Sequence, residues 1–426
     1  MTDTKTRAAS PMALPSLEAI HRAAERLRGV ATHTPLMPNL NLSAYYEANV
    51  WLKREDLQVV RSYKVRGAYN KMSRLPAGEL ENGIVCASAG NHAQGVAYAC
   101  CKLSVPGTIF MPTTTPNQKV RQVRMFGKEW VDVVLTGDTF DDAFQAASDF
   151  CTAHGKQFIH PFDDPDVIAG QGTVGLEILA DSEEPIDYLL LPIGGGGLAA
   201  GVATVFQRLS PRTCLVGIEP AGAPAMHASL EQGFPVTLGE IDKFVDGAAV
   251  KRVGDLTFAI CQGALDRVVL VPEGKVCSTI LRLYNEEAIV VEPAGALSIA
   301  ALDLIREEIR GKNVVCVVSG SNNDITRTEE IKERSQLYEG LKHYFLIRFA
   351  QRAGALREFL SDVLGPHDDI AHFEYSKKNS REKGPALVGI ELQSREDFAP
   401  LIRRMDEKKV TYQYLNDRQD LLQYLI

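Results

Sequence analysis

The sequence predicts an α/β protein made of two open, twisted α/β domains, followed by a small βαββαβ module. Three observations predict it. Apolar strand-like runs alternate with helical stretches from Gly83 to Phe162, and again from Tyr188 to Val318. Those runs are continuously apolar, as in parallel sheets covered on both faces. Near Phe345 the pattern changes to short alternating strands beside two helical stripes.

Taken in order, Met1 to Pro15 lacks the apolar stretch of a secretion signal and reads as a short disordered lead-in. Trp51-Leu52-Lys53-Arg54-Glu55-Asp56 begins as a strand and turns polar. Ile84 to Ala87, Thr108 to Met111 and Val131 to Leu135 read as strands, with helices over Asn91 to Leu103 and Asn117 to Phe126 between them. A third helix spaces Phe140, Phe144, Ala147 and Cys151 along one face, before Gln157-Phe158-Ile159. Such alternation implies parallel units with right-handed crossovers. In the second block Tyr188 to Leu191, Cys214 to Ile218 and Val314 to Val318 are strands, and Leu198 to Leu209 is a helix. Two adjoining α/β blocks leave a cleft, the usual place for a cofactor.

Charged residues thicken from Arg327 to Lys342, predicting a helical linker. Phe345, Ile347 and Phe349 alternate as a strand, and Leu356, Phe359, Leu360, Val363 and Leu364 form a helical stripe. Ile370 to Tyr375 and Leu387 to Leu392 read as strands, Phe398, Leu401, Ile402 and Met405 as a second stripe, and Val410, Tyr412 and Tyr414 as the last strand. This order is ferredoxin-like. It carries no catalytic constellation, which leaves a structural or a regulatory role. The catalytic part is placed at 1–330, with a smaller α/β subdomain at about 65–160 inserted in the larger one, the linker at 331–342 and the module at 343–426.

A net charge of -8 argues against nucleic acid or an anionic membrane as partner. No apolar run of about eighteen residues predicts a membrane span. Cys86, Cys214 and Cys316 fall in strands and Cys100 and Cys101 in a helix, with no CxxC pair or His-rich cluster, so neither zinc nor a disulfide framework is favoured. The chain reads as soluble and cytoplasmic, with no metal site.

Four segments carry chemistry. Lys64 sits among small and polar residues in Ser62-Tyr63-Lys64-Val65-Arg66-Gly67-Ala68; a lysine whose pKa is lowered can form a Schiff base with a carbonyl cofactor. Ser88-Ala89-Gly90-Asn91-His92 lies where a strand ends and a helix begins, so its backbone N–H groups suit a carboxylate, and the Asn91 amide suits a phenolic oxygen. Helix capping is the plainer use of these residues. Gly194-Gly195-Gly196-Gly197 also joins a strand to a helix and can wrap a phosphate. Gly194-x-Gly196-x-x-Ala199 with Glu219 loosely matches a dinucleotide fingerprint as well, which keeps a nicotinamide dehydrogenase open as a rival. Ser319-Gly320-Ser321-Asn322-Asn323 follows the last long strand, where α/β proteins place ligand contacts.

Together these segments resemble the β-family (fold type II) of pyridoxal-phosphate enzymes, most nearly its biosynthetic threonine dehydratases, over roughly Ala19 to Thr326. The resemblance implies the tryptophan synthase β-like fold. It implies pyridoxal 5'-phosphate on Lys64, with Asn91, Gly194 to Gly197 and Ser319 around the cofactor and Ser88 to His92 around the substrate carboxylate. Lys64 would then be the base for the α-proton. A neutral hydroxyl at Ser319 would leave the ring nitrogen unprotonated and favour prompt β-elimination. Glu292-Pro293-Ala294-Gly295-Ala296 matches a further family segment near the cofactor. His92 is assigned no catalytic step, since a structural histidine at a helix start explains it equally well.

The implied activity is deamination of L-threonine to 2-oxobutanoate and ammonia, the first step of isoleucine biosynthesis. The tail, with Arg352-Ala353-Gly354-Ala355-Leu356 at its first strand-to-helix turn, resembles the ACT-like regulatory domain of short threonine dehydratases. That implies feedback by isoleucine, or by valine, and a homotetramer. Serine dehydratase and serine racemase share the Lys64-type chemistry and stay open. Related serine racemases hold a cation through an acid at the position of Glu219 and another two residues after the position of Ala223. Here that second position is Ala225, and Glu219 is left as a capping or ion-paired residue.

Overall fold

A computed structural model describes residues 14–375, 383–418 and 421. Apart from Leu14 and Pro15, the expected lead-in lies outside the described residues. The chain divides into two compact units, 1–273 with 283–324, and 274–282 with 325–426.

The first unit holds two sheets. The larger runs in the order Leu36–Pro38, Asn49–Arg54, Asn313–Val318, Tyr188–Pro192, Cys214–Pro220, Arg267–Val271. Its first pair is antiparallel and the rest are parallel. Leu189, Leu191, Val315 and Val317 build its core with Ile168 and Val174 of the helix Pro165–Asp181 and Val202 and Phe206 of the helix Gly197–Leu209. The smaller sheet is wholly parallel, in the order Val131–Leu135, Gly107–Met111, Ile84–Ala87, Gln157–Phe158. Its two central strands are buried at every residue, as their unbroken apolar runs require. In both sheets the loops that carry chemistry leave the carboxyl ends of parallel strands.

For one helix the structure adds which residues are buried. In Phe140–His154 the buried residues are Ala143 and Ala147, whereas Phe140 and Phe144 are 47% and 36% exposed. Ala143 and Ala147 pack against the strands, and Phe150 reaches Phe110 beside them (ring centroids 5.4 Å apart).

The second unit contains an antiparallel sheet in the order Asp369–Tyr375, Lys383–Glu391, Lys342–Ala350, Thr411–Tyr414. With the helices Ala355–Asp362 and Phe398–Glu407 this is the ferredoxin-like arrangement. Phe345, Ile347, Val388, Ile390, Leu401 and Met405 form its core. The third strand begins at Lys383 rather than Leu387. Phe359 and Val363, one turn apart, face the core, and Leu356 and Leu360 are 39% and 42% exposed. A helix, Thr328–Glu339, occupies much of the charged linker. Among the described residues no helix is long and apolar enough to cross a membrane.

Candidate active site

Lys64 opens the helix Lys64–Met72, and its Nζ donates to the Pro161 carbonyl at 3.0 Å. Burial lowers its pKa to about 8, although the Glu292 carboxylate opposes the shift. The backbone just before it is stitched to the Ser319 turn. Ser62 bridges Gly320, the Tyr63 N–H donates to Ser319 O at 3.3 Å, and the Ser321 N–H donates to Arg61 O at 2.9 Å. The Ser319 hydroxyl is buried and donates to Ala294 O at 3.2 Å.

Glu292 precedes the helix Pro293–Ala300 and accepts from Asn91 Nδ2 at 2.6 Å. Asn322 Nδ2 donates to the other end of the same amide, Asn91 Oδ1, at 3.2 Å. Burial first, then the charge of Asp246, pushes the Glu292 carboxyl up to about 7, against the bond from Asn91. Two of the four segments, those of Asn91 and Asn322, thus meet Glu292 through one amide.

The loop before the helix Asn91–Leu103 divides its donors. The Ser88 N–H is engaged by Phe110 O at 3.1 Å, and the Gly90 N–H by Ser88 Oγ at 3.2 Å. The N–H groups of Ala89, Asn91 and His92 have no acceptor among the described residues. His92 is buried, and its Nε2 donates to Ile159 O at 2.9 Å. Burial lowers its pKa to about 3, with Lys64 adding to the effect, so the ring is neutral and its side chain is structural.

The glycine run ends the strand Tyr188–Pro192 and starts the helix Gly197–Leu209. Gly196 is left-handed at φ 92, a conformation that favours glycine. A Cβ on Gly195 would stand 2.2 Å from the Phe162 ring. Thr257 Oγ1 holds the Gly195 carbonyl at 2.7 Å. The N–H groups of Gly194 to Gly197 have no acceptor among the described residues, which gives a bare cradle at a helix N-terminus.

Sequence reasoning missed the supports beneath these groups. Arg66 is fully buried and reaches two carboxylates: Nε to Glu55 Oε2 at 2.8 Å and Nη2 to Glu55 Oε1 at 2.7 Å, then Nη1 to Glu177 Oε1 at 2.6 Å and Nη2 to Glu177 Oε2 at 2.8 Å. Lys53, equally buried, donates to Glu177 at 2.7 Å. An arginine two positions after the candidate lysine was the available signal, but its partners lie too far along the chain to be seen. Glu219 is a cap: Oε1 accepts the Met226 N–H at 2.7 Å and Oε2 the His227 N–H at 2.8 Å, at the start of the helix Ala225–Gln232. A carboxylate so buried and so engaged is not offered to a ribose, which removes the physical basis of the dinucleotide reading.

A buried lysine of lowered pKa, an immobilised amide, a glycine cradle with free N–H groups and a second free N–H loop suit pyridoxal phosphate and an amino-acid carboxylate. A family model described as "Pyridoxal-phosphate dependent enzyme" matches residues 27–320, and one described as "C-terminal regulatory domain of Threonine dehydratase" matches 333–425. The chain is 59% identical over 410 residues to a biosynthetic L-threonine dehydratase of Halalkalibacterium halodurans, covering 96% of this chain and 99% of that one. It is 58% identical over 407 residues to the Bacillus subtilis protein of the same name, covering 96% of each. Among solved structures, the processed form of threonine deaminase isoform 2 from Solanum lycopersicum aligns with a TM-score of 0.71 at 41% identity, over 76% of this chain and 95% of that one. Maize serine racemase aligns with the same TM-score at 27% identity, over 76% of this chain and 99% of that one.

Proposed function

This chain belongs to the pyridoxal-phosphate-dependent enzymes and, within them, to the biosynthetic threonine dehydratases, and from that membership and the site geometry we infer that it deaminates L-threonine to 2-oxobutanoate and ammonia in isoleucine biosynthesis. The observation that carries the reading is Lys64, a buried amine lowered to about 8 and held by the Pro161 carbonyl.

Bound pyridoxal phosphate supplies an electron sink for the charge left at the α-carbon. The rest is the work of the chain. The N–H cradle of Gly194 to Gly197 binds the phosphate, aided by the helix dipole. Ala89, Asn91 and His92 offer backbone N–H groups to the substrate carboxylate. Asn91, fixed at both ends by Glu292 and Asn322, keeps one Nδ2 hydrogen for a phenolic oxygen. Ser319 offers a neutral hydroxyl where a carboxylate would keep a ring nitrogen protonated, which favours elimination. Lys64 is the attachment point and, as a free amine, takes the α-proton. Loss of that hydrogen and the β-hydroxyl as water leaves an enamine, whose hydrolysis gives 2-oxobutanoate and ammonia.

The catalytic part is assigned to 1–330, with its subdomain at about 65–160, and the regulatory module to 343–426 beyond a linker at 331–342; the regulatory-domain match supports this division. The module binds an allosteric amino acid, isoleucine or alternatively valine, a reading supported by the regulatory-domain match. Four copies assemble, a reading supported by large apolar side chains left exposed on both units, such as Leu40, Tyr284 and Leu360. The enzyme works in the cytoplasm.

The test is keto-acid release from L-threonine, L-serine and D-serine, with borohydride trapping and peptide mapping of the pyridoxyl label. Preferential release from L-threonine with the label on Lys64 is expected; a label elsewhere overturns the reading. Isoleucine titration against activity of the full chain tests the regulatory part, and an unchanged rate counts against it.

A further inference from the structure

We propose that His160 is a positioning residue, whose ring locks the turn 160–163 into a single frame that serves both Lys64 and the glycine run. Four consecutive residues of this turn each support a different part of the site. His160 Nδ1 accepts two backbone N–H groups, from Phe162 at 3.2 Å and from Asp163 at 2.7 Å. Pro161 gives its carbonyl to Lys64 Nζ at 3.0 Å. Phe162 packs under the glycines: added Cβ atoms would stand 2.2 Å from its ring at Gly195 and 3.0 Å from its own Cβ at Gly197. Asp163 accepts the N–H groups of Asp255 and Leu256, each at 3.0 Å, and of Thr257 at 3.2 Å. Thr257 in turn bonds the Gly195 carbonyl at 2.7 Å.

A ring nitrogen that accepts two N–H bonds carries no proton of its own, so His160 is neutral with its hydrogen on Nε2. Burial lowers its pKa, in keeping with that state. The T-shaped contact with Phe162, centroids 4.7 Å apart, fixes the ring's orientation. With no acceptor at position 160, the Phe162 and Asp163 N–H groups are left unpaired and the turn relaxes. The Pro161 carbonyl and the Phe162 ring then move together. Lys64 loses an acceptor that favours its charged form, and the cradle loses its floor.

The inference rests on Lys64 and Gly194 to Gly197 being the cofactor site, and its test is built to fail separately from that reading. Besides Pro161 O, the groups facing Lys64 are the Glu292 carboxylate, the Tyr63 ring and the imidazoles of His92 and His160. Competitive acetic anhydride labelling of the cofactor-free full chain, read by peptide mass, gives the Lys64 titration midpoint without any turnover. In His160→Leu the midpoint falls by about one unit, the size of one hydrogen bond to a charged group. The dissociation constant for pyridoxal phosphate, read from absorbance, rises at least about tenfold. His160→Asn, whose side-chain oxygen can accept the same two N–H groups as an Asx turn, restores both values. A folded His160→Leu chain with an unchanged midpoint and cofactor affinity within about twofold of wild type overturns the proposal. If His160→Leu does not fold, a folded His160→Asn chain with a shifted midpoint overturns it instead.

Discussion

The side-chain amide of Asn91 donates to Glu292 Oε1 at 2.6 Å, joining a loop of the smaller sheet to a helix start 201 positions away. Because Asn322 donates to Asn91 Oδ1 at 3.2 Å, the amide is held at both ends and its orientation is set by chemistry. Glu292→Ala frees that amide. The expected result is a fall in kcat on L-threonine of about 10- to 100-fold, or about 1.4 to 2.7 kcal/mol. Glu292→Gln keeps an acceptor and loses less. Equal rates for the alanine variant and wild type in steady-state assays would exclude the role.

The same carboxyl predicts a pH effect on stability. Burial raises Glu292 from 4.5 to about 7. Between those values the folded chain holds a proton that the unfolded chain has released. Its contribution to stability is therefore full below about pH 4.5 and is lost as pH rises through about 7. Urea unfolding of wild type and Glu292→Gln across that window measures it. The stability difference between them shifts against wild type with rising pH, by at most about 1.4 kcal/mol per unit, and levels off above the window.

The helix Asn91–Leu103 and the strand Ile84–Ala87 were legible to the residue, because a short turn of small and polar residues follows an unbroken apolar run; the cap itself is Gly90, with no side-chain bond. The place of the glycine run between a strand and a helix was legible because an apolar run precedes it and a helical stretch follows. Periodicity gives spacing without direction: it aligned Phe140, Phe144, Ala147 and Cys151 on one face, and only the fold shows that Ala143 and Ala147 are the buried residues. The turn 160–163 has no periodicity, and its partners at Lys64, Gly195 and Asp255 are brought to it by the fold alone. Glu219 read both as the acid of a loose dinucleotide fingerprint and as a capping or ion-paired residue, and the following helix, whose Met226 and His227 N–H groups it accepts, shows the cap.

Gly195 and Phe162 are predicted to be coupled. Gly195→Ala drives a methyl group into the Phe162 ring, since the added Cβ would lie 2.2 Å from Cδ1. Such overpacking costs about 1–3 kcal/mol and falls on the cradle, so affinity for pyridoxal phosphate drops. Phe162→Ala opens the space. The double variant should bind the cofactor better than additive losses allow, with a coupling of about 1 kcal/mol or more by absorbance titration. Strict additivity would show that the two residues do not share the cradle.

Arg66 follows Lys64 by two positions in the same helix, so the two side chains leave on roughly opposite faces. One face carries the amine, and the other is anchored by paired bonds to Glu55 and to Glu177. Arg66→Ala leaves the buried Glu55 and the part-buried Glu177 without their shared cation, and a loss of about 3–5 kcal/mol is expected in urea unfolding. Lys53 keeps its bond to Glu177, so the Glu55 side suffers more. Arg66→Lys supplies charge without the planar fork and should fall between the two, because an ammonium cannot hold two carboxylates in paired geometry. If the lysine variant matched wild type in both stability and kcat, the guanidinium would be serving as a charge alone, and the anchoring of Lys64 through it would be excluded.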